Sequence, residues 1–250
     1  MRWVDSVGFG ATIFGQAFFW IFLGTRRSQP VRLTPIVSQM IEGGIRALPI
    51  VSILSLAIGA MLAIQGIDAL KDLGAEHQVT FGVALSVVRE FAPLVTGILI
   101  AGRSGSSLAA RLSTMVINNE VDALRVMGIN PIRFLVVPSL VALVIMLPAL
   151  TLWSNLVMLF GAGLYTTAEL GISMGLYVQQ TLEYINVNDL LHGLGKSIVF
   201  GALITIVGVV NGSSVTGGAD GVGRVTTHAV VHSILALILA DMIIVFLATR

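Results

Sequence analysis

Long uncharged apolar runs constrain this chain more than any other feature of its sequence. Residues 47–67 contain no charged side chain, and residues 134–168 contain none either. A helix needs about 20 mostly apolar residues to cross a bilayer, so each run is long enough to span one. Only 11% of all residues are charged, against about 25% in soluble domains. The sequence therefore predicts an all-α integral membrane protein with a single membrane domain.

Five segments are predicted to cross the membrane. Residues 134–168 would form a helix of about 50 Å, too long for one span and too short for two spans with a turn. We therefore expect a span that ends at 159, followed by an uncharged external segment over 161–167. A long polar segment is expected at 103–133 and a Gly/Ser-rich loop at 211–223. The predicted spans are 47–67, 79–102, 134–159, 188–210 and 225–248.

Basic residues are segregated to one side of these spans. Loops rich in Arg and Lys face the cytoplasm in membrane proteins, so their distribution sets the orientation. The N-terminus and the segment 103–133 are predicted to be cytoplasmic, and the C-terminus is predicted to lie on the opposite side of the membrane. The basic residues on the cytoplasmic side are Arg26, Arg27, Arg32, Arg46, Arg111, Arg125, Arg133 and Arg224, against Lys71 alone on the other.

The N-terminal region 1–45 is predicted to hold an interfacial amphipathic helix rather than a cleavable signal. Residues 7–24 lack a small-residue cleavage site and run directly into Arg26 and Arg27. A short, poorly formed span is the alternative for the same segment. Aromatic residues typical of the headgroup level are Trp3, Phe9, Phe18, Phe19, Trp20 and Phe22.

Several kinds of chemistry are disfavoured by the composition. The net charge of +1 gives no basic field for nucleic acid, and the absence of cysteine excludes disulfides and thiolate metal sites. The histidines His192, His228 and His232 lack a metal-ligand spacing with acids, so no metal is predicted. The run Gly195-Lys196-Ser197 could close a phosphate-loop motif only with a glycine at position 190, where Leu190 stands. ATP is therefore expected on a partner.

A short cytoplasmic helix is predicted within 118–128. Asn118 or Asn119 is a good N-cap, and Glu120 and Asp122 suit the positive end of the helix dipole. Gly128 is a plausible residue just beyond its C-terminus. Such a helix can dock on a partner. The residues that recur at helical spacing are Val121, Leu124 and either Arg125 or Met127.

Three sequence blocks carry more specific motifs. They are Arg-Glu-Phe-Ala-Pro at 89–93, Ala-Gly-Arg-Ser-Gly-Ser at 101–106, and the stretch 119–131 with Asn-Glu-Val-Asp-Ala-Leu and Asn-Pro. Together with 196–200 and 221–231, these blocks resemble the MlaE permease family over nearly the whole chain. The family often has Gln where Glu120 stands and more acid where Arg125 stands, so this chain departs from the family pattern at two positions of the predicted helix.

The resemblance implies a non-catalytic, homodimeric permease. It would assemble with a cytoplasmic ABC ATPase dimer that binds ATP and Mg²⁺, a STAS-domain accessory protein and a periplasmic hexamer of MCE-domain subunits. The cargo would be phospholipid, moved between the inner and outer membranes of a Gram-negative bacterium. The helix at 118–128 would be the coupling helix. Its ATPase-coupling residues would be Glu120, Asp122, Leu124, Arg125 and Met127.

Five charged residues within or beside the predicted spans are candidate site residues. Charges inside a membrane are costly, so Arg89 and Glu90 suggest either a lipid site or an ion pair joining two helices. Arg103 could hold a lipid phosphate or reach the interface, and the same alternatives apply to Lys196 and a headgroup. Asp241 is expected to have a structural role within the bundle.

Three rival functions remain open at this point. The first is a related permease of MCE systems that moves sterols or other hydrophobic molecules. The second is a membrane enzyme with a buried polar site at Arg89, Glu90 and Asp241. The third is a structural anchor for periplasmic subunits.

Overall fold

The computed structural model describes residues 8, 10–13, 15–17, 19–20, 33–72, 74–75 and 78–248. Every regular element in that part of the chain is helical, and the described residues between 8 and 20 are helical as well. Of the predicted interfacial aromatics, Trp3, Phe9, Phe18 and Phe22 lie outside the described residues. The helices are α1 (Leu33–Gly43), α2 (Leu48–Lys71), α3 (Val79–Ile117), α4 (Glu120–Val126), α5 (Ile132–Leu170), α6 (Met174–Tyr184), α7 (Val187–Ser213) and α8 (Gly218–Ala248).

Five helical stretches within the described residues are long and apolar enough to cross a membrane. They are the run Leu33–Lys71, which contains α1 and α2, and the helices α3, α5, α7 and α8. Each contains one of the five spans predicted from the sequence, so the predicted number is confirmed.

Helix α5 is longer than predicted. It continues to Leu170, so residues 161–167, predicted as an uncharged external segment, are helical. Gly163 does not break the helix, because it lies against the ring of Tyr177 from α6. The Tyr177 hydroxyl donates to the Leu159 carbonyl at 3.0 Å. Burial raises the pKa of Tyr177, so the hydroxyl keeps its proton.

Two predicted polar segments are also largely helical. Helix α3 continues through Ile117, well beyond the predicted end at 102, and the Gly/Ser-rich loop shrinks to residues 214–217. Gly212 packs against the α3 backbone, where an added Cβ would lie 2.9 Å from the Ala109 carbonyl oxygen. Ser113 donates to the Gly212 carbonyl at 3.1 Å. The small residues that suggested a loop therefore serve close helix packing.

Contacts along the chain divide it into two compact units, each described by itself. The first unit comprises Met1–Arg46, Ile98–Met146 and Val199–Arg250, and the second comprises Ala47–Gly97 and Leu147–Ile198. Each unit buries its own apolar core. Core residues are Ile13, Leu108, Leu112, Val136 and Val209 in the first unit, and Ala63, Ile67, Val79, Val83, Val87 and Met158 in the second.

Helices α2 and α5 touch at their backbones in the second unit. A side chain at Gly59 would overlap the carbonyl oxygen of Met158, and one at Gly161 would overlap that of Leu56. Small residues at such contacts let helices approach closely in lipid, where no hydrophobic force drives them together. The two glycines therefore set the separation of α2 and α5.

We expect Gly59→Ala to destabilise the protein by about 1–3 kcal/mol, because the new methyl group must displace a backbone carbonyl. Gly82→Ala is the matched control, since Gly82 lies in the same unit with nothing within 4 Å of an added Cβ. The control should be neutral or stabilising by up to about 1 kcal/mol. Thermal unfolding of the purified variants in detergent measures both changes, and equal midpoints would contradict the close contact.

Candidate functional site

Two acid–base pairs connect α3 to α7 in the second unit. The Lys196 ammonium donates to a carboxylate oxygen of Glu90, and Arg89 Nε lies 3.6 Å from Asp189 Oδ1. The structure thus brings together three of the predicted site residues. The sequence suggested either a lipid site or an ion pair between two helices for Arg89 and Glu90. The structure contains such ion pairs.

One face of α7 carries the partners of these charges. Asp189, Gly193 and Lys196 are spaced i, i+4 and i+7, so they lie one above another. A side chain at Gly193 would overlap the carbonyl oxygen of Val88, so the glycine permits the close approach of α7 to α3. The Asp189 carboxylate also accepts from the Asn186 backbone N–H at 3.1 Å. This capping contact fixes the carboxylate beside Arg89.

Helix α3 is π-helical where it meets this face of α7. The π segment Val87–Phe91 contains both Arg89 and Glu90. A second π segment, Ala101–Gly105, contains Arg103. A π turn inserts a residue into the helix, changes which side chains face a neighbour and often occurs at functional sites. The predicted charged residues of α3 therefore coincide with its irregular turns.

The Lys196 side chain is fully buried, whereas the Glu90 side chain is 37% exposed. Removing one partner of a buried ion pair typically costs about 3–5 kcal/mol, because the other charge is left in a poor solvent. The buried ammonium contacts Glu90, whose carboxylate is the partly exposed member of the pair.

The remaining intramembrane candidates lie in the first unit. Arg103 Nη1 is buried and has no hydrogen-bond partner among the described residues. The Arg103 side chain lines a small polar cavity formed by α1 and α3. Asp241 is half-buried in α8, where the sequence predicts a structural role.

The predicted cytoplasmic helix is present as α4, with seven residues rather than about ten. Asn119 precedes it with φ +57°, and its side chain does not cap the helix as predicted. The left-handed backbone at Asn119 directs its side chain elsewhere. Instead, Asn118 Nδ2 donates to Glu120 Oε1 at 3.1 Å and ties the connection to the first turn.

The C-terminal end of α4 follows the prediction. Gly128 has φ +74°, which favours glycine at the position just beyond the helix. Its N–H donates to the Arg125 carbonyl at 3.0 Å, and the Ile129 N–H donates to the Leu124 carbonyl at 2.9 Å. These two bonds form a Schellman motif, which holds the end of α4 in place.

Helix α4 buries one apolar side chain and exposes others. Leu124 is buried, whereas Val126 is 90% exposed and Met127 is 63% exposed. The exposed Arg125 guanidinium donates to Asp122 Oδ1 at 2.9 Å along the helix. The result is an apolar pair of side chains beside charged ones on the outer surface of α4.

A cleft of about 700 Å³ lies beside α4 in the first unit. Val121, Asp122 and Arg125 line it from α4, and apolar residues of α3, α5 and α7 form most of its other walls. Sequence reasoning did not find this cleft, because it depends on how four separate segments pack.

Sequence reasoning also missed two charged residues. Asp189 is the partner of Arg89, and its signal was the i, i+4, i+7 spacing with Gly193 and Lys196. Arg111 served only to set the orientation, although it lies eight residues after Arg103 and therefore close to the same helix face.

The fold and the site define a multi-pass helical membrane protein with ion-paired charges between its helices and a capped helix on one connection. The sequence model of the family described as Permease MlaE matches residues 36–247. The chain belongs to the MlaE permease family and is an ABC transporter permease of that type. Such permease subunits are typically non-catalytic.

Named relatives agree with this family. A probable ABC transporter permease protein of Rickettsia typhi is 33% identical over 98% of this chain and 92% of its own length. The intermembrane phospholipid transport system permease protein MlaE of Haemophilus influenzae is 31% identical over 92% of this chain and 89% of its own. The chloroplast protein trigalactosyldiacylglycerol 1 of Arabidopsis thaliana is 34% identical over 83% of this chain and 59% of its own.

We expect Glu90→Gln to destabilise the protein by about 3–5 kcal/mol, because it removes the carboxylate from a buried ammonium. Lys196→Met should cost less, since Glu90 is partly exposed, and the double variant should recover part of the loss. Unfolding midpoints in detergent measure all three.

Lys71→Met is the matched control for the ion pair. Lys71 and Glu169 lie 3.8 Å apart with exposed side chains, and exposed pairs contribute about 0–1 kcal/mol. A loss for Lys71→Met as large as that for Glu90→Gln would contradict a special role for the buried pair.

Proposed function

We propose that this chain is the membrane subunit of an ATP-driven transporter that moves phospholipids between the inner and outer membranes of a Gram-negative bacterium. The Haemophilus influenzae relative is named for phospholipid transport, which supports this cargo. The Arabidopsis relative is named for a glycolipid, which supports lipid as the wider class. A permease for sterols or other hydrophobic molecules is the second candidate.

The exposed surface of α4 is the observation that carries the ATP-driven part of the proposal. Val126 and Met127 form an apolar pair held by the Schellman turn, with Glu120, Asp122 and Arg125 beside it. A rigid apolar patch with a charged rim is the usual composition of a protein–protein interface. Leu124 would anchor α4 from inside, while the other four predicted coupling residues would face the ATPase.

ATP and Mg²⁺ are assigned to that partner. The stretch 193–197, which has a glycine-lysine-serine run, lies inside helix α7 rather than in a loop. Gly193 packs against α3 and Lys196 is bound to Glu90. These contacts support a structural use of the run, so the chain itself would bind no nucleotide.

The charge pattern supports the orientation. The segment that contains α4 would lie in the cytoplasm with the N-terminus, and the C-terminus would lie in the periplasm of an inner-membrane protein. An ATPase dimer and a STAS-domain protein would then bind on the cytoplasmic side. An MCE-domain hexamer would bind on the periplasmic side, where α6 is expected.

A homodimer would bury apolar surface that one copy leaves exposed. Helix α8 is the least buried of the five candidate spans. One of its faces is apolar over more than two turns, which suits either a second copy or lipid tails. The exposed residues on this face are Leu235, Ile238, Leu239 and Met242.

The lipid-contacting residues are proposed to be Arg103, Arg89 and Glu90, with Lys196 acting through Glu90. Arg89 is one-third exposed and its ion pair with Asp189 is long, so the guanidinium retains donors for a headgroup phosphate. Asp241 is proposed to stabilise the bundle. The match to a permease family favours transport over the enzyme and anchor alternatives.

We expect the chain, co-expressed with its ATPase, STAS-domain and MCE-domain partners and purified in mild detergent, to carry phospholipid enriched over the bulk membrane. Mass spectrometry of the bound lipids measures the enrichment, and the chain purified without partners is the control. Enriched sterol would favour the second candidate. The proposal would be contradicted if the chain were recovered without its partners and carried lipid in the same proportions as the bulk membrane.

We expect Val126→Asp combined with Met127→Asp to abolish co-purification of the ATPase, because a charge replaces the apolar centre of the interface. Leu182→Asp is the matched control, since Leu182 is 70% exposed on α6, which is expected on the other side of the membrane. The control should retain the ATPase. Unchanged ATPase recovery with the double variant would remove the coupling role from α4.

A further inference from the structure

A small polar cavity lies between α1 and α3 in the first unit. Its volume is about 90 Å³. A water molecule occupies about 30 Å³ in the liquid, so the cavity has room for about three waters or one compact polar group. The side chains that give the cavity its polarity are Gln39 and Glu42 from α1 and Arg103, Ser104, Ser107 and Arg111 from α3.

The two arginines reach the cavity from one face of α3. Arg103, Ser107 and Arg111 are spaced i, i+4 and i+8, with a hydroxyl between two guanidinium groups. Arg103 Nη1 is buried without a hydrogen-bond partner among the described residues. A buried charged donor in that state is costly unless an acceptor enters the cavity.

Neighbouring side chains orient the Arg111 guanidinium but use only some of its N–H donors. Its Nη2 donates to Ser139 Oγ at 3.3 Å, and Gln39 accepts from the same guanidinium when its amide oxygen faces Arg111. A guanidinium has five N–H donors, so donors remain for a ligand. These contacts hold the Arg111 fork at the wall of the cavity.

Glu42 gives the cavity a second chemical feature. It lines the cavity, is exposed, and forms no ion pair with another described residue. The two guanidiniums can bind the single negative charge of a phosphodiester. The exposed carboxylate can at the same time accept a hydrogen bond from an amine attached to that phosphodiester.

The position of the cavity indicates a lipid rather than a soluble phosphate. Arg103 directly follows the apolar segment 79–102, so it stands at the polar end of a span. Helix α1 exposes Leu33, Val37 and Ile41 at i, i+4 and i+8 on its outer side, as expected of a helix in contact with lipid. The cavity on the other side of α1 is therefore at headgroup depth.

We propose that this cavity, which we call the α1–α3 pocket, binds the phosphodiester headgroup of a membrane lipid. Arg103 and Arg111 hold the phosphate, with the Ser107 hydroxyl as a further donor, and Glu42 favours headgroups that carry an amine. The inference rests on the proposed function, in which Arg103 contacts lipid. It adds a preference among headgroups and three further residues that contact them.

Native mass spectrometry of the purified chain in detergent tests the pocket. Phosphatidylethanolamine, phosphatidylglycerol and diacylglycerol are titrated separately, and inorganic phosphate is added as a competitor. We expect both phospholipids to bind, phosphatidylethanolamine more tightly, and diacylglycerol to bind at least about tenfold more weakly, because it lacks the acceptor for a charged hydrogen bond.

The variants assign the binding to named residues. Arg103→Gln and Arg111→Gln should each weaken phospholipid binding by about tenfold or more. Glu42→Gln should remove the preference for phosphatidylethanolamine. Arg224→Gln is the matched control, since Arg224 is an exposed arginine of the same unit that does not line the pocket. It should bind as the unaltered protein does.

A further variant keeps the test valid if loss of Arg103 prevents folding. Ser107→Leu places an apolar side chain in the pocket from an exposed position, so it should block binding while the protein folds. Phospholipid binding within twofold of the unaltered protein in both Arg111→Gln and Ser107→Leu would overturn the pocket. Displacement of lipid by inorganic phosphate at equal concentration would overturn the lipid assignment.

Failure of the pocket is distinguishable from failure of the proposed function. If the assembled complex carries enriched phospholipid and the pocket variants bind it normally, only the pocket is wrong. If the complex neither assembles nor carries lipid while the pocket variants lose binding, the pocket stands and the transport proposal falls.

Discussion

The buried ion pair between Lys196 and Glu90 is the interaction on which the second unit depends. An ammonium that is fully buried must have an anionic partner, so α7 has to lie against α3 at this level. Gly193 makes that approach possible, because any side chain there would collide with the α3 backbone. The ion pair determines the level at which α7 contacts α3, and Gly193 permits the short distance between the two backbones. Asp189, fixed by the capping contact at the start of α7, then receives Arg89.

Close backbone packing extends this argument to both units. In lipid, moving an apolar side chain from the acyl chains into a helix interface gains little free energy. Helices therefore associate through close packing at small residues and through hydrogen bonds. Added Cβ atoms would meet backbone at Gly201 in the first unit and at Gly59 in the second. Buried hydroxyls add direct bonds, as between Ser55 and Ser154 of α2 and α5, with 2.8 Å between the oxygens. These glycines and serines thus form structural contacts between the helices.

Hydropathy predicted the five spans, and the glycine at 128 predicted the end of α4, because each depends on local chemistry alone. Pairing of charges could not be predicted in the same way. The π segments at Val87–Phe91 and Ala101–Gly105 alter the register of α3, and no apolar periodicity reveals an inserted residue. The predicted loop 211–223 is a related case. Glycine and serine suggest a loop in water, yet Gly212 lies in α7 and permits close contact with α3.

In the first unit, the proposed coupling surface on α4 and the proposed α1–α3 pocket lie close together along the chain. Helix α4 follows α3 after only Asn118 and Asn119, and the Asn118 side chain bonds to its first turn. The pocket arginines lie on the same continuous helix that ends at Ile117. Helix α4 borders the cleft and directly follows α3, so a partner bound to α4 would act next to both. Any coupling along α3 must be reciprocal: a headgroup that favours one position of α3 favours the matching partner state equally.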